Sequence, residues 1–274
     1  MKTDEVMIKA AIKVIEAADA VLITAGAGMG VDSGLPDYRG DEGLWKQYPK
    51  FKNLGVSFSA IINPQLFEIN PYLAWGFYGH RLNLYRETQP HEGFELLRKY
   101  CLNKKGGFFV VTSNVDGQFQ KAGFDATKIF EIHGSIHYTQ CLNRCSSEVF
   151  DNEMYDFNID LETLNIDKLP TCPYCESLLR PNILMFSDGS LRLERLQIQN
   201  DRFERWLDST RPYKLVIIEI GAGPDIPAIR EYGEKINEER NNATLIRINP
   251  DNKGNTDITL ESKGLETLKL LFGQ

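Results

Sequence analysis

The stretch that decides the fold reads VLITAGAGMGVDSGLPDYRG and spans residues 21–40. Its apolar start predicts a buried strand, and Gly26 and Gly28 then open a loop that runs on through a polar segment without closing into a helix at once. Backbone without a Cβ can approach a pyrophosphate closely and point its N–H groups at the anion. The match to a dinucleotide fingerprint is incomplete, because Val31 stands where the third glycine belongs. Alone, the stretch fits an ordinary tight turn as well as a nucleotide site.

The composition of the 274-residue chain is ordinary for a soluble globular protein, with 42% apolar and 25% charged residues. The length fits one large domain, or one domain that carries a smaller inserted one. A net charge of −7 without a basic cluster argues against direct nucleic-acid binding and weakly favours basic partners. We expect no membrane span and no secretion signal, because no apolar run reaches about 18 residues and the N-terminus lacks an apolar core. The expected location is the cytoplasm, and the oligomeric state stays open.

Short apolar runs alternate with helical periodicities and predict a parallel α/β sheet that is covered on both faces. The predicted strands cover residues 21–24, 108–112, 129–132, 183–186, 215–220 and 245–248. The predicted helices cover residues 5–18, 64–86, 92–100, 191–208 and 225–240. Residues 41–63 are typical of a loop with scattered aromatic side chains. Residues 41–90 and the cysteine-containing region resemble insertions into the α/β body.

Four of the five cysteines form two close pairs, which are Cys141 with Cys145 and Cys172 with Cys175. Two such pairs, joined by a longer segment, can place four thiolates tetrahedrally around zinc. The alternative is four reduced cysteines without a metal. An all-cysteine set leaves no open position for a catalytic water, so the pattern predicts a structural zinc site. Cys101 is interpreted as a buried small apolar residue.

Two polar segments follow predicted strands and are candidates for a site at the edge of the sheet. Residues 112–117 read Thr-Ser-Asn-Val-Asp-Gly, in which Asn114 and Asp116 lie two apart. On this evidence alone, a turn is the favoured interpretation of the segment. His133 follows the run 129–132 and precedes a glycine, so it can face a cleft as a base near neutral pH. The other three histidines are interpreted as structural.

Two further segments near the C-terminal end of the chain also follow strands. Gly221, Ala222 and Gly223 form a second glycine-rich loop that can carry the other half of a dinucleotide. Asn249 ends the run 245–248 and can hold a ribose hydroxyl through its amide. Each signal is weak by itself, but nucleotide sites in open sheets are built from several strand ends of this kind.

The ordered set of motifs resembles the sirtuins, the NAD-dependent protein lysine deacylases, and is most similar to a divergent bacterial-type member. The family pattern Gly-Ala-Gly-Ile-Ser, followed by Ser-Gly-Ile-Pro-Asp-Phe-Arg, resembles residues 26–30 and 33–39. Thr-Gln-Asn-Ile-Asp resembles residues 112–116, and the catalytic His-Gly resembles His133 with its glycine. The two cysteine pairs, the segment 180–186, the second glycine loop and Ile-Asn follow in the family order, so that the resemblance covers about residues 20–250.

The resemblance implies a Rossmann-like large domain at about residues 1–40, 90–138 and 179–274. It also implies a small domain made of a helical module at about 41–89 and a zinc module at about 139–178. NAD would lie between the two domains. The implied cofactor-binding residues are Gly26, Ala27, Gly28, Asp37, Tyr38, Arg39, Ser113, Asn114, Val115, Asp116, His133, Gly221, Ala222, Gly223 and Asn249.

The implied reaction transfers the acyl group of an acyl-lysine to ADP-ribose and releases nicotinamide. His133 would act as the general base, and Asn114 and Asp116 would position ribose, water and nicotinamide. The peptide would pair as an added strand between the Phe186 segment and the loop after Gly223. Tyr78 and Arg81 match a pair that binds the acyl carboxylate in the sirtuins that remove succinyl or malonyl groups. A core tyrosine beside a solvated arginine explains the same spacing.

Several residues depart from the family pattern and affect the expected substrate more than the use of NAD. Gly30 and Gly223 each replace a serine, and Ser113 replaces a glutamine. Phe119 stands where a histidine is common, and residues 187–188 read Ser-Asp in place of Gly-Glu. The alternatives are an NAD-dependent mono-ADP-ribosyltransferase, an NAD hydrolase and a non-catalytic module that binds NAD or ADP-ribose. A redox enzyme is the weakest interpretation.

Overall fold

The computed structural model describes residues 2–37, 40–53, 55–160, 163–224, 226–251 and 254–273. The strands within these ranges are β1 (Ala20–Ala25), β2 (Phe108–Thr112), β3 (Ile129–Glu131), β4 (Gly134–Cys141), β5 (Val149–Asp151), β6 (Ile159–Asp160), β7 (Asn165–Ile166), β8 (Leu179–Ile183), β9 (Leu215–Ile220), β10 (Ala243–Ile248) and β11 (Ile258–Leu260). The α-helices are α1 (Lys2–Ala17), α2 (Gly28–Val31), α3 (Gly40–Gln47), α4 (Pro49–Asn53), α5 (Phe58–Ile61), α6 (Leu66–Ile69), α7 (Pro71–Glu87), α8 (Glu92–Cys101), α9 (Gln118–Lys121), α10 (Glu194–Ser209), α11 (Ala228–Glu238) and α12 (Gly264–Phe272).

The largest sheet is parallel and has the strand order β11-β10-β9-β1-β2-β3. The chain leaves β1 toward β2 on one side and later returns to place β9 on the other side. The carboxyl ends of β1 and β9 therefore form the switch point at which open α/β sheets bind ligands. The predicted α/β, Rossmann-like fold class is confirmed.

Two hydrophobic cores cover the two faces of this sheet because alternate residues of each buried strand point in opposite directions. On β1, Val21 and Ile23 belong to the core that includes α1, α8 and α12. Leu22 points to the other face, where α10 and α11 supply Phe203 and Ile229. Both faces are apolar, and this is why the strands read as continuous apolar runs.

A third core joins the helices α3–α7 to the antiparallel sheet β5-β4-β8. Trp75 of α7 is fully buried, and its indole N–H donates to the carbonyl of Leu179, 2.7 Å away. A Cβ on Gly76 would lie 1.6 Å from the carbonyl oxygen of Leu164, so only glycine lets the segment before β7 pack this closely against α7. None of the described helices has both the length and the apolar character needed to cross a bilayer. The division into a large and a small domain stays a prediction.

Three sequence-based predictions of secondary structure were wrong. Residues 41–63 contain the short helices α3, α4 and α5. Packing into the third core stabilises them, and each is too short to show a helical pattern in the sequence. The predicted strand at 183–186 is displaced, because β8 ends at Ile183. The first glycine loop closes into the one-turn helix α2 at Gly28.

The two glycine-rich loops contact each other directly at the switch point. Gly26 N–H donates to the carbonyl of Ile220 at 3.0 Å, and Gly28 N–H donates to the carbonyl of Gly221 at 2.9 Å. A Cβ on Gly28 would lie 2.7 Å from the Cα atom of Gly221. A Cβ on Gly221, whose φ is +63°, would lie 2.3 Å from the backbone nitrogen of Met29. The loops can approach this closely only as glycines.

We expect Gly221→Ala to lower the free energy of unfolding by at least about 2 kcal/mol, from left-handed strain and from the backbone collision. Urea denaturation at neutral pH measures the change. Gly189→Ala is the matched control, because Gly189 is exposed and its Cβ would meet no atom within 4 Å. Its stability should change by less than about 0.5 kcal/mol. Equal stability of the two variants would contradict the requirement for glycine at position 221.

Candidate active site

A cavity of about 430 Å³ lies next to the carboxyl ends of β1, β2 and β3. Its volume is within the range of small-molecule sites. The wall combines polar strand ends with apolar segments from the third core. The predicted site residues that line it are Ala27, Arg81, Ser113, Asn114, Val115, Asp116, His133 and Phe186.

The segment after β2 is fixed by hydrogen bonds to the loop after β1. The hydroxyl of Thr112 donates to the carbonyl of Ala25 at 2.9 Å and accepts from the backbone N–H of Asn114 at 3.0 Å. The side-chain amide of Asn114 then donates to the carbonyl of Gly26, also at 3.0 Å. Asn114 thus joins the second strand end to the first glycine loop while it lines the cavity.

Asp116 is a buried carboxylic acid beside the same cavity. Burial raises the pKa of Asp116 to about 6, because the charged form loses hydration. A hydrogen bond from the backbone N–H of Gln118, 2.9 Å long, opposes this shift, and the nearby carboxylate of Glu131 adds to it. The carboxyl group therefore changes protonation state close to neutral pH.

His133 lies two residues beyond β3 and lines the cavity opposite the glycine loop. Burial lowers the pKa of His133, and a hydrogen bond to the backbone of Ser113 partly opposes this shift. The ring is therefore neutral at pH 7, and the nitrogen that does not donate to Ser113 is available as a base. The backbone is fixed here as well, since the carbonyl of His133 accepts from the N–H of Leu184 at 2.9 Å.

The apolar part of the wall includes residues that the sequence analysis did not identify. They come from the loop after α2, from α5, from the end of β8 and from the start of α11, and they are Leu35, Pro36, Phe58, Ile62, Ile183, Leu184, Met185, Ile226 and Pro227. The rings of Phe58 and Phe186 pack edge to face with centroids 5.8 Å apart. The N–H of Phe186 donates to the carbonyl of Ile62 at 3.0 Å.

Arg81 faces the cavity, but the hydroxyl that holds it belongs to Tyr85 rather than Tyr78. The Nη2 atom of Arg81 donates to the Tyr85 hydroxyl at 2.7 Å, and Nε does so at 3.2 Å. Tyr85 lines the cavity, whereas Tyr78 is fully buried and stacks on Phe67. The Tyr78 hydroxyl has no hydrogen-bond partner among the described residues. The i, i+4 spacing of Arg81 and Tyr85 on the predicted helix is the sequence feature that indicates this contact, and the sequence analysis did not use it.

Other predicted cofactor-binding residues lie beside the cavity rather than in its wall. Asn249 is buried, its amide donates to the carbonyl of Ala222 at 2.6 Å, and its Oδ1 accepts from Asp251 N–H at 2.8 Å. One end of this side chain thus holds the second glycine loop, and the other end holds the turn that follows β10. Asp37 is half-buried. Tyr38 and Arg39 lie outside the described residues.

The four paired cysteines come together at the end of β4. The Sγ atoms of Cys141 and Cys145 are 3.5 Å apart, those of Cys145 and Cys172 are 3.5 Å apart, and those of Cys141 and Cys175 are 3.6 Å apart. All four sulfurs lie within 4.8 Å of one another. Sulfurs bound about 2.3 Å from one tetrahedral zinc ion lie about 3.8 Å apart, so the cluster fits this metal. A bound zinc ion would cross-link the two turns.

Comparisons with known proteins agree with this geometry. The Sir2 family profile matches residues 26–205. The chain belongs to the Sir2 family. An NAD-dependent protein deacylase of Aquifex aeolicus is 29% identical over 92% of this chain and 93% of that protein. One from Pyrococcus abyssi is 31% identical over 69% of each chain. A solved complex of ADP-ribose with a variant of a Sir2 homologue is 25% identical, with 97% of this chain and 95% of that chain covered and a TM-score of 0.71.

The structure shows the surroundings of three departures from the Sir2-family pattern. A Cβ on Gly30 would lie 3.0 Å from Cδ1 of Leu35, so a serine requires that side chain to move. Ser187 has a φ of +56°, the left-handed conformation that favours the family's glycine. Asp188 forms a fully buried ion pair with Arg180 and accepts from Ser190 N–H at 2.9 Å. In this Sir2-family chain, Asp188 thereby fixes the turn that follows the cavity wall.

We expect the purified protein to hold about one zinc ion per chain and Cys172→Ser to lose most of it, because a structural zinc site needs all four thiolates. Atomic emission gives the metal content, and a thermal scan should show a lower melting temperature for this variant. Cys101→Ala is the control, because Cys101 lies in a different core and should keep the zinc. A Cys172→Ser protein with the full zinc content would contradict this site.

Proposed function

We propose that this chain removes acyl groups from lysine side chains of proteins with NAD as the co-substrate, and releases nicotinamide and O-acyl-ADP-ribose. The observation that carries this proposal is the half-buried His133, whose pKa is lowered, beside Asn114 and Asp116 in one cavity of a Sir2-family chain. A module that only binds nucleotides has no need of a base in this position. We place the activity in the cytoplasm, without direct nucleic-acid binding.

His133 is proposed to accept the proton of a ribose hydroxyl, which then attacks the acyl group. The hydrogen bond to Ser113 fixes which ring nitrogen carries the proton, and burial keeps the ring neutral so that it can accept another one. His133 is held at two points, because the backbone of Ser113 bonds to its ring and Leu184 bonds to its backbone carbonyl. A base held in this way loses little freedom when the reaction begins.

NAD supplies the ribose carbon to which the acyl oxygen becomes bonded. The glycine loops and the strand-end segment are proposed to bind it, with Asn114 and Asp116 nearest the reacting ribose and the nicotinamide. A carboxyl group with a pKa of about 6 can donate to, or accept from, a carboxamide as its protonation changes. The proposed NAD-binding residues are Gly26, Ala27, Gly28, Asp37, Tyr38, Arg39, Ser113, Asn114, Val115, Asp116, His133, Gly221, Ala222, Gly223 and Asn249.

The substrate peptide is proposed to bind as an extended strand along residues 184–186. The N–H groups of Leu184 and Phe186 donate inward to His133 and Ile62, respectively. Met185 lies between them, and its N–H has no backbone acceptor among the described residues, so it can pair with an added strand. Leu184 and Phe186 are 44% and 42% exposed, which is unusual for apolar residues of a wall and leaves area for a lysine stem.

Arg81 is proposed to select acyl groups that end in a carboxylate, such as succinyl. Its guanidinium lies on the cavity wall and is ordered by the Tyr85 hydroxyl and by the rings of Phe77, Tyr78 and Tyr85. A guanidinium held in a largely apolar wall binds a carboxylate through charge-assisted hydrogen bonds. The Tyr78 hydroxyl is fully buried and does not line the cavity, so Tyr85, which does, is proposed to take its place beside Arg81.

We expect His133→Ala to lower acyl-lysine turnover by about 10²–10⁴-fold while NAD still binds. Nicotinamide release measured by chromatography, together with calorimetric NAD titration, separates the two effects. His80→Gln is the matched histidine control, because its ring accepts from or donates to the Tyr48 hydroxyl away from the cavity. Turnover of His133→Ala at the rate of His80→Gln would show that His133 is not the base.

We expect Arg81→Met to lower kcat/KM for a succinyl-lysine peptide by about 10–100-fold and to leave an acetyl-lysine peptide nearly unaffected, because only the succinyl group presents a carboxylate. Tyr85→Phe, which removes the hydroxyl that holds Arg81, should reduce the succinyl rate by a smaller factor. Paired kinetic measurements with the same peptide sequence provide the comparison. An equal loss on both peptides would assign Arg81 a structural role instead.

A further inference from the structure

The strand that leads to His133 is an edge strand of the main sheet. β3 has three residues and pairs only with β2, in a register that places Glu131 beside Thr112. Beyond it, Ile132 N–H donates to the carbonyl of Thr112 at 2.9 Å, and His133 follows. A short edge strand with one partner is weakly held, yet the proposed base must keep its position.

Side chains of α10 occupy the free edge where a further strand would otherwise pair. The Oε1 atom of Gln199 accepts from the backbone N–H of Glu131 at 3.1 Å. The amide nitrogen of Gln199 donates to the Glu131 carboxylate at 3.3 Å, and Arg195 forms an ion pair with the same carboxylate oxygen. We call Glu131, Arg195 and Gln199 the edge clamp.

Glu131 and Gln199 of the edge clamp are buried, and Arg195 is partly buried. The Glu131 side chain is 1% exposed, and the guanidinium of Arg195 lies 4.2 Å from the ring centre of Tyr138 on β4. The second carboxylate oxygen of Glu131 has no hydrogen-bond partner among the described residues, so its charge depends on the contacts with α10. A buried carboxylate that loses its cation is strongly destabilised, and the strand end would then move.

We propose that the edge clamp is a positioning device for His133: Arg195 and Gln199 hold the Glu131 end of β3, and thereby the imidazole two residues later, in the orientation needed for proton transfer. This inference rests on the proposed function, in which His133 is the base. The clamp residues touch neither the cavity nor the proposed substrates. They are positioning residues and not catalytic ones.

The test compares Arg195→Met and Gln199→Met with Arg202→Met, which changes an arginine two turns further along α10 that makes no contact with Glu131. Hydrogen–deuterium exchange of residues 129–134, without ligands, should be faster in the two clamp variants than in wild type and in Arg202→Met. The clamp variants should lose about 10–100-fold in kcat with an unchanged KM for NAD, because misplacement of a base affects the chemical step. Arg195→Lys, which keeps the charge, should restore part of kcat.

Several outcomes would decide the matter. A folded Arg195→Met or Gln199→Met protein with wild-type kcat overturns the proposal, whatever its exchange rates. If Arg195→Met does not fold, Gln199→Met and Arg195→Lys carry the same comparison. If the wild-type protein has no deacylase activity, the proposed function fails, and exchange rates in residues 129–134 that match those of Arg202→Met then overturn the clamp independently.

Discussion

The close approach of the two glycine-rich loops is the constraint on which the rest of the site depends. The loop after β1 donates two backbone hydrogen bonds, of 2.9 and 3.0 Å, to the end of β9 and the loop that follows it. No Cβ fits in the space between the two loops. Side chains from outside reinforce this arrangement, since Asn249 and Arg230 both donate to the carbonyl of Ala222. The glycines that suggest a phosphate loop therefore have a second role, which is to let two parts of the backbone form one surface.

The proposed catalytic residues are attached to that surface one after another. Asn114 bonds to Gly26, the ring of His133 bonds to the backbone of Ser113, and β3 follows the register of β2. Each strand end thus fixes the next one, from the centre of the sheet to its edge. The apolar wall belongs to the third core and approaches the sheet through Phe58, Ile62 and Phe186. The cavity therefore lies between the strand ends of the sheet and the third core.

The parallel sheet could be predicted from the sequence because its strands are apolar on both faces. Helices α1, α8, α10 and α11 could be predicted because one face of each is buried, which gives a helical period of apolar residues. The antiparallel strands β4 and β8 were not found. Gln140 and Asn182 are buried polar residues that bond to each other across 42 positions of the sequence, and no local pattern reveals this. Gln199 was missed for the same reason, since its partner Glu131 is 68 positions away. Tyr85 was missed although its i, i+4 spacing from Arg81 is a local signal. The proximity of His133, Asn114 and Asp116 could be predicted because all three follow parallel strands.

The central claim is that this cavity transfers an acyl group from lysine to ADP-ribose. The most direct measurement incubates the protein with NAD and a set of acetyl-, succinyl- and longer acyl-lysine peptides, and quantifies every product by mass spectrometry. The account predicts equal amounts of nicotinamide, free lysine peptide and O-acyl-ADP-ribose for at least one acyl group. Nicotinamide released without deacylation, or ADP-ribose attached to protein, would contradict it.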